Sequence, residues 1–340
     1  MTAPGLLRLL ILLCIAGCDA APNAVRPSGP AEGNGEDAAA REPARPKIRR
    51  FRFTYGSTIT GLPPGRTARV WVPVATDSHE QRVTLRNIEI PSEYRRTREK
   101  RFGNELIHFE AAADASGRIA LELEYEVERR EALLADAEPQ AGDAPAESLA
   151  GSRLVPVDGT LRRRLFGDEE IAGEPLAVAR RIYDAVAARM SYAKPEGLPW
   201  GRGDAIWACE SGVGNCTDFH SPFLGAAQDL GIPARFEIGF SIPPEIGSGT
   251  VAGYHCWARF LADGLWVPVD ISEADKRPEL RDYYFGNLTA DRVRFTIGRD
   301  LELDPPQRAG PVNFLVYPYV EVDGEPHTEM THRFEYADIY

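Results

Sequence analysis

Tyr254-His255-Cys256-Trp257-Ala258-Arg259-Phe260-Leu261-Ala262-Asp263-Gly264-Leu265-Trp266-Val267-Pro268-Val269-Asp270 reads as two strands joined by a two-residue turn. Asp-Gly is the dipeptide that a tight hairpin prefers, because its two central residues take positive φ. With Ala262 opposite Leu265, the register of the whole ribbon follows, and Trp257 falls opposite Asp270. Alternation then puts His255, Trp257, Trp266 and Asp270 on one face. His255 and Asp270 become diagonal neighbours, with Cβ atoms about 7–8 Å apart, close to what an imidazole and a carboxylate need to meet. A carboxylate there would fix the imidazole tautomer and stabilise its protonated form.

Upstream, Gly212-Val213-Gly214-Asn215-Cys216-Thr217-Asp218-Phe219-His220 leads into an apolar helical run that stops at Gly231-Ile232-Pro233. Arg235 to Phe240 then reads as a strand, with Phe236, Ile238 and Phe240 on one face. A cysteine at a helix start, a histidine on a strand and an aspartate on the next strand are the parts of a thiol nucleophile system. Helix terminus and imidazolium both favour thiolate, and the histidine can pass a proton to a leaving amine. The Cys216 N–H is a natural oxyanion donor. Ser221-Pro222 competes as a helix start, since Ser caps well and Pro suits a first turn. Ahead of this segment, Leu176, Ala179, Ile182, Tyr183, Val186 and Met190 recur at helical spacing behind Glu174-Pro175.

These stretches, in this order and spacing, resemble the transglutaminase-like superfamily of papain-type folds. The resemblance runs from about Glu174 to Ser272 and implies Cys216 as nucleophile, His255 as base and Asp270 as its orienter. It also implies acyl transfer from an amide, the step shared by protein cross-linking enzymes, peptide N-glycanases and protease- or amidase-like members. Cross-linking members use an indole to help hold the oxyanion, and Trp207 is the nearest candidate. Asn215, Trp257, Trp266 and His220 are the other oxyanion or substrate-side candidates. His220, one helical turn after Cys216, is a rival base or a local hydrogen-bonding group. Tyr283, Tyr284 and Phe285 border a cleft or pack in the core. Cys209 and Cys256 form a disulfide or remain free thiols. No metal site is expected, because no Cys-x₂-Cys knuckle occurs and His255 and Cys256 point to opposite faces of a strand. No phosphate loop, dinucleotide fingerprint or calcium loop is present, so no cofactor is expected.

The 340 residues carry 39 Lys+Arg against 51 Asp+Glu, a formal −12, which disfavours nucleic acid as a partner. Period-two runs at Phe51, Phe53, Tyr55; Val70, Val72, Val74; Val83, Leu85; and Ile119 to Val127 predict an antiparallel β-sandwich over 48–131. The fold expected is therefore α+β, the sandwich preceding a transglutaminase-like domain whose cysteine-bearing helix packs on an antiparallel sheet. Residues 132–172 read as a linker and 173–340 as the catalytic domain, completed by strands at Val293–Ile297, Leu301–Leu303 and Asn313–Val322.

Residues 1–17 read as a signal peptide, and Ile15-Ala16-Gly17-Cys18 resembles the lipobox of bacterial lipoproteins, making Cys18 the lipid anchor. Residues 18–47, rich in Ala, Pro, Gly and Glu, read as a disordered tether spanning about 30 Å. Asp19 favours retention at the inner membrane. Arg45, Lys47, Arg49, Arg50 and Arg52 touch anionic lipid or form a solvated edge. The expectation is an envelope-anchored, periplasmic thiol enzyme cleaving amide or isopeptide bonds of a peptide or protein. The alternatives are a true transglutaminase and a non-catalytic binding or scaffold module.

Overall fold

In the computed structural model, residues 46–340 are described; the expected signal peptide, Cys18, Arg45 and nearly all of the tether lie outside them. β1 (Ile48–Ile59) alternates buried Phe51, Phe53 and Tyr55 with exposed Arg50 and Arg52, as a half-buried strand must. β2 (Thr67–Pro73), β3 (Gln81–Glu89), β4 (Tyr94–Arg98), β5 (Glu105–Ala112) and β6 (Ile119–Arg130) follow. The sequence reading had missed β4 and β5. Next come β7 (Glu138–Pro139), α1 (Thr160–Phe166) and α2 (Pro175–Arg189), then β8 (Ser191–Tyr192), α3 (Ala205–Ser211), β9 (Val213–Gly214) and α4 (Cys216–Asp229). The remainder is β10 (Ala234–Ser241), β11 (Ser248–Thr250), β12 (Tyr254–Ala262), β13 (Leu265–Val269), α5 (Ile271–Lys276), β14 (Arg292–Ile297), β15 (Tyr319–Val322), β16 (Glu325–Pro326) and β17 (Met330–Asp338).

Three five-stranded antiparallel sheets carry the body. Two are the sandwich, ordered β11-β17-β1-β6-β3 and β16-β15-β2-β5-β4; the third, β14-β10-β12-β13-β7, carries the hairpin. The first and third share an aromatic core. The Phe53 and Phe240 rings lie 5.0 Å apart, Tyr55 and Phe295 5.3 Å, and Phe240 and Phe334 4.5 Å. Each such ring contributes roughly 1.5–3 kcal/mol through burial alone.

The boundaries drawn at 131 and 173 do not separate independent bodies, because Arg45–Tyr340 is one compact unit. β15 pairs with β2 and β17 with β1, so the chain's last strands belong to the sandwich and not to the hairpin's sheet. Residues 132–172 are packed structure rather than a linker: β7 extends the third sheet, and Val155 and Leu161 are buried. Leu301 and Leu303 are core residues outside any strand, Leu301 forming a single bridge to Val312. Tyr284 is buried and Tyr283 donates to Glu131 Oε1 at 2.5 Å, so this cluster packs. Arg49 is likewise buried and paired with Asp338 and Asp291, which removes it from any lipid-facing edge.

Helix α2 begins with Pro175, as anticipated, and buries Val178, Ala179, Ile182, Tyr183 and Val186. Helix α4 starts at Cys216, with Pro222 inside it. Asn215 decides this start over Ser221. Its Oδ1 accepts the Thr217 N–H at 3.0 Å while Asp218 Oδ2 accepts the Asn215 N–H at 3.0 Å, a reciprocal cap.

Candidate active site

The hairpin register stands as deduced, with Ala262 opposite Leu265 and Ala258 opposite Val269. Asp263 takes φ 50° and Gly264 φ 75°, the left-handed pair that this turn demands. β13 ends at Val269, so Asp270 is both the next residue along the ribbon and the N-cap of α5. Its two oxygens divide the work. Oδ1 accepts the Glu273 N–H at 3.1 Å and the Ser272 hydroxyl at 3.0 Å, while Oδ2 accepts from His255 Nε2 at 2.7 Å and from Arg292 Nη1 at 3.2 Å.

With Nε2 committed to the carboxylate, Nδ1 is the ring nitrogen of His255 with no other hydrogen-bond partner among the described residues. Cys216 is 2% and His255 4% exposed. Burial alone would lower the imidazole's basicity, but the Asp270 carboxylate and the Cys216 sulfur outweigh it and hold His255 up at about 9. Burial would likewise raise the Cys216 thiol. The Cys256 and His255 side chains reverse this and hold it well below its ordinary value. Asp270 is pulled far below the usual carboxylate range by His255 and Arg292, again against burial. The consistent microstate is thiolate, imidazolium and carboxylate.

Cys216 is the first residue of α4, where the backbone N–H cannot find an intrahelical acceptor. Asn215 and Asp218 satisfy neighbouring amides, and the Cys216 N–H has no acceptor among the described residues. Asn215 is thus at the site, its Nδ2 donating to the Tyr254 hydroxyl at 2.9 Å.

Four other expectations need correcting. His220 is fully buried with both ring nitrogens engaged: Nδ1–H donates to the Cys216 carbonyl at 2.7 Å, and Nε2 accepts the Ile271 N–H at 3.1 Å. Burial lowers its basicity. A neutral brace between α4 and α5 is not a free base. Trp257 donates its indole N–H to Glu237 Oε2 at 2.6 Å and Trp266 donates to Gln140 Oε1 at 2.7 Å, so neither is available to an oxyanion. Trp257 still matters as a wall, its ring centroid 6.2 Å from that of His255. Trp207, half-buried on α3, borders a separate depression of about 350 Å³ with Arg153, Pro156 and Glu210. None of the residues around that depression belongs to the thiol cluster.

Cys209, Cys216 and Cys256 are free thiols, so the pairing of Cys209 with Cys256 does not occur. No group of metal-ligating side chains is found among the described residues. Sequence reasoning missed Arg292, which arrives from a distant strand, and Cys256, whose Sγ lies 3.7 Å from His220 Nδ1. It also missed Tyr254 as a partner of Asn215. Only the last had a local signal, its place beside His255.

Residues 168–271 match the family model of the transglutaminase-like superfamily. The chain carries a transglutaminase-like domain. An uncharacterized protein of Haemophilus influenzae is 28% identical over 323 residues, covering 81% of this chain and 86% of its own length. The crystal structure of a "Putative Cysteine Protease" from Cytophaga hutchinsonii is similar in fold, with a TM-score of 0.55 at 13% identity over 86% of this chain and 92% of that one. The transglutaminase-like match spans α2, the cysteine-bearing helix and the hairpin. It ends one residue past Asp270, so all three members of the cluster lie within it.

Proposed function

We propose that the protein is a thiol enzyme that forms an acyl-enzyme at Cys216 and hydrolyses amide or isopeptide bonds of a peptide or protein. The observation that carries this reading is the 2.7 Å contact of His255 Nε2 with Asp270, which leaves Nδ1 for a thiol at the first position of a helix. The Cys216 thiolate adds to the scissile carbonyl, and the carbonyl oxygen gains charge that is stabilised by the hydrogen bond the Cys216 N–H donates to it. His255 Nδ1–H gives its proton to the departing amine nitrogen as the C–N bond breaks. The neutral imidazole then takes a proton from water as its oxygen attacks the thioester, and the acid leaves with the thiolate restored. Asp270 holds the ring in the one tautomer that serves both steps.

The transglutaminase-like domain and the fold likeness support a thiol enzyme; hydrolysis in preference to transfer, and residence at the cell envelope through a lipidated Cys18, are part of the same proposal. p-Nitrophenyl acetate tests the core of it. The full chain should release a burst of one equivalent of nitrophenolate and carry the acetyl group on Cys216 by peptide mass mapping. Acetylation of Cys216 no faster than of Cys209 would refute the assignment. A labelled primary amine added to the acetylated enzyme reads the second step: capture of acetyl by the amine in preference to water would make the protein a transferase.

A further inference from the structure

Arg292 opens β14, opposite Ser241 of β10, and is 1% exposed. A buried guanidinium is costly unless every donor is answered, with an effective penalty of several kcal/mol. Here the answer is incomplete. Nη1 donates to Asp270 Oδ2, the same oxygen that takes the His255 proton, and Nε has no partner. The guanidinium carbon sits 4.9 Å from the centre of the Trp257 ring, and the same indole packs against His255. Trp257 is itself pinned by Glu237. One aromatic wall therefore sets the positions of both groups that compete for one carboxylate oxygen.

We propose that Arg292 is a positioning residue, a fixed cation that acts on the imidazole through Asp270 and sets the pH range in which Cys216 exists as thiolate. The inference rests on the proposed thiol chemistry. Asp270 Oδ1 is already saturated by α5, so Oδ2 alone faces the imidazole, and a cation 3.2 Å from that oxygen weakens its hold on the His255 proton. It also keeps the carboxylate from taking that proton. Below about pH 9 His255 stays protonated with or without the cation, so removing it leaves the Asp270 charge unoffset beside the pair, and the positive potential that favours thiolate falls.

Other charges face this cluster from each neighbouring element. Helix α4 contributes Cys216 and His220; α5 contributes Glu273, paired with Lys276 at 2.9 Å. After α5 come Arg277, which also pairs with Glu273, and Tyr283 and Tyr284. From the strands come Cys256, Arg259 and Glu237, and behind them Glu80 and Arg129. Arg259 lies between Glu80 and Glu237, and Lys276 and Arg277 share Glu273. Arg292 is the cation whose carboxylate is the one holding His255.

The test is the pH dependence of iodoacetamide labelling of Cys216 in the full chain, read by mass spectrometry, for wild type and for Arg292→Met, Arg292→Gln and Arg292→Lys. Far-UV circular dichroism and thermal unfolding establish which variants are folded. The pH at which labelling first rises should move up by about one unit in a neutral variant, making labelling on the acid side about tenfold slower. Arg292→Lys, which keeps the charge, should restore the wild-type position. A folded neutral variant with the wild-type profile overturns the proposal, as does a lysine variant shifted as far as the neutral ones. Loss of fold in both neutral variants also counts against it, since a purely structural ion would behave that way. Wild-type labelling at pH 6 no faster than that of an ordinary cysteine would instead defeat the underlying reading of Cys216, a result seen without any variant.

Discussion

Asp270→Asn is the sharpest single perturbation of this site. The amide oxygen can keep the α5 cap, replacing Oδ1 opposite Glu273 N–H and Ser272, but its NH₂ then faces His255 Nε2 and Arg292 Nη1, both donors. His255 loses the carboxylate that lifts it and should fall from about 9 to its ordinary 6.5 or below, since burial remains. That fall corresponds to roughly 3 kcal/mol of lost preference for imidazolium, at about 1.4 kcal/mol for each tenfold change. The thiolate loses its counter-ion in the pH range between those two values: at about pH 8 the imidazolium fraction should fall from roughly nine-tenths to roughly 3%, so labelling of Cys216 by iodoacetamide should slow there by on the order of tenfold or more. In the variant the rate should climb through the range of an ordinary thiol, while wild type is already reactive at acidic pH. Circular dichroism and the urea midpoint monitor the fold, because one buried carboxylate is being neutralised beside an arginine. Labelling of a folded Asp270→Asn protein at about pH 8 as fast as wild type would show that Asp270 does not support the imidazolium.

The other expectations follow from neighbouring contacts. Cys216→Ala removes a buried thiol and should give a folded protein at a cost of about 0.5–3 kcal/mol, with no nitrophenolate burst; a variant that fails to fold would make the thiol structural. The same variant should expose a hidden pH dependence. Raised His255 contributes stability in full below 6.5 that is lost as pH rises through about 9, whereas the lowered Cys216 contributes stability in full above 9 that is lost as pH falls. Wild-type urea midpoints should therefore be level between pH 6.5 and 9 while those of Cys216→Ala decline, and a level variant profile would show that the two groups do not titrate as a pair. His220→Ala leaves the Ile271 N–H without its acceptor, while the Cys216 carbonyl keeps its helical partner, and should destabilise by about 1–3 kcal/mol in urea titrations; a loss under half a kcal/mol would contradict its bracing role. Gly239→Ala would put a Cβ 1.9 Å from the Val293 carbonyl oxygen, on the residue paired with His255. Backbone cannot yield cheaply there, so a cost of at least about 1–3 kcal/mol and slower Cys216 labelling are expected; a wild-type midpoint would argue against the tight packing of β10 on β14.

What could be read beforehand was whatever a short stretch settles by itself. Asp263-Gly264 fixes a turn, the turn fixes the register, and the register brings His255 to Asp270. The start of α4 was readable in part: Asn215 and Asp218 form their cap within four residues, yet Ser221-Pro222 offered an equally local rival. Tertiary context decided between them. The tryptophans were misread for a different reason. An indole N–H looks free until its acceptor is known, and Glu237 and Gln140 reach Trp257 and Trp266 across strands and from 126 residues away. Arg292 was invisible on the same ground, since nothing near it in sequence announces the carboxylate it meets. The segment 132–172 looked like a linker because its apolar residues are sparse, but Val155 and Leu161 are enough to anchor it once α4 supplies a surface.

β17 lies against β1 with Phe51 opposite Asp338, and Ile339 donates its N–H to the Arg50 carbonyl at 2.9 Å. β1 consequently has no neighbour on that side until β17 has been synthesised. A chain emerging from its amino end can lay β1 on β6 early, but the other flank of β1 is covered only by a contact of very long sequence separation, the slowest kind to form.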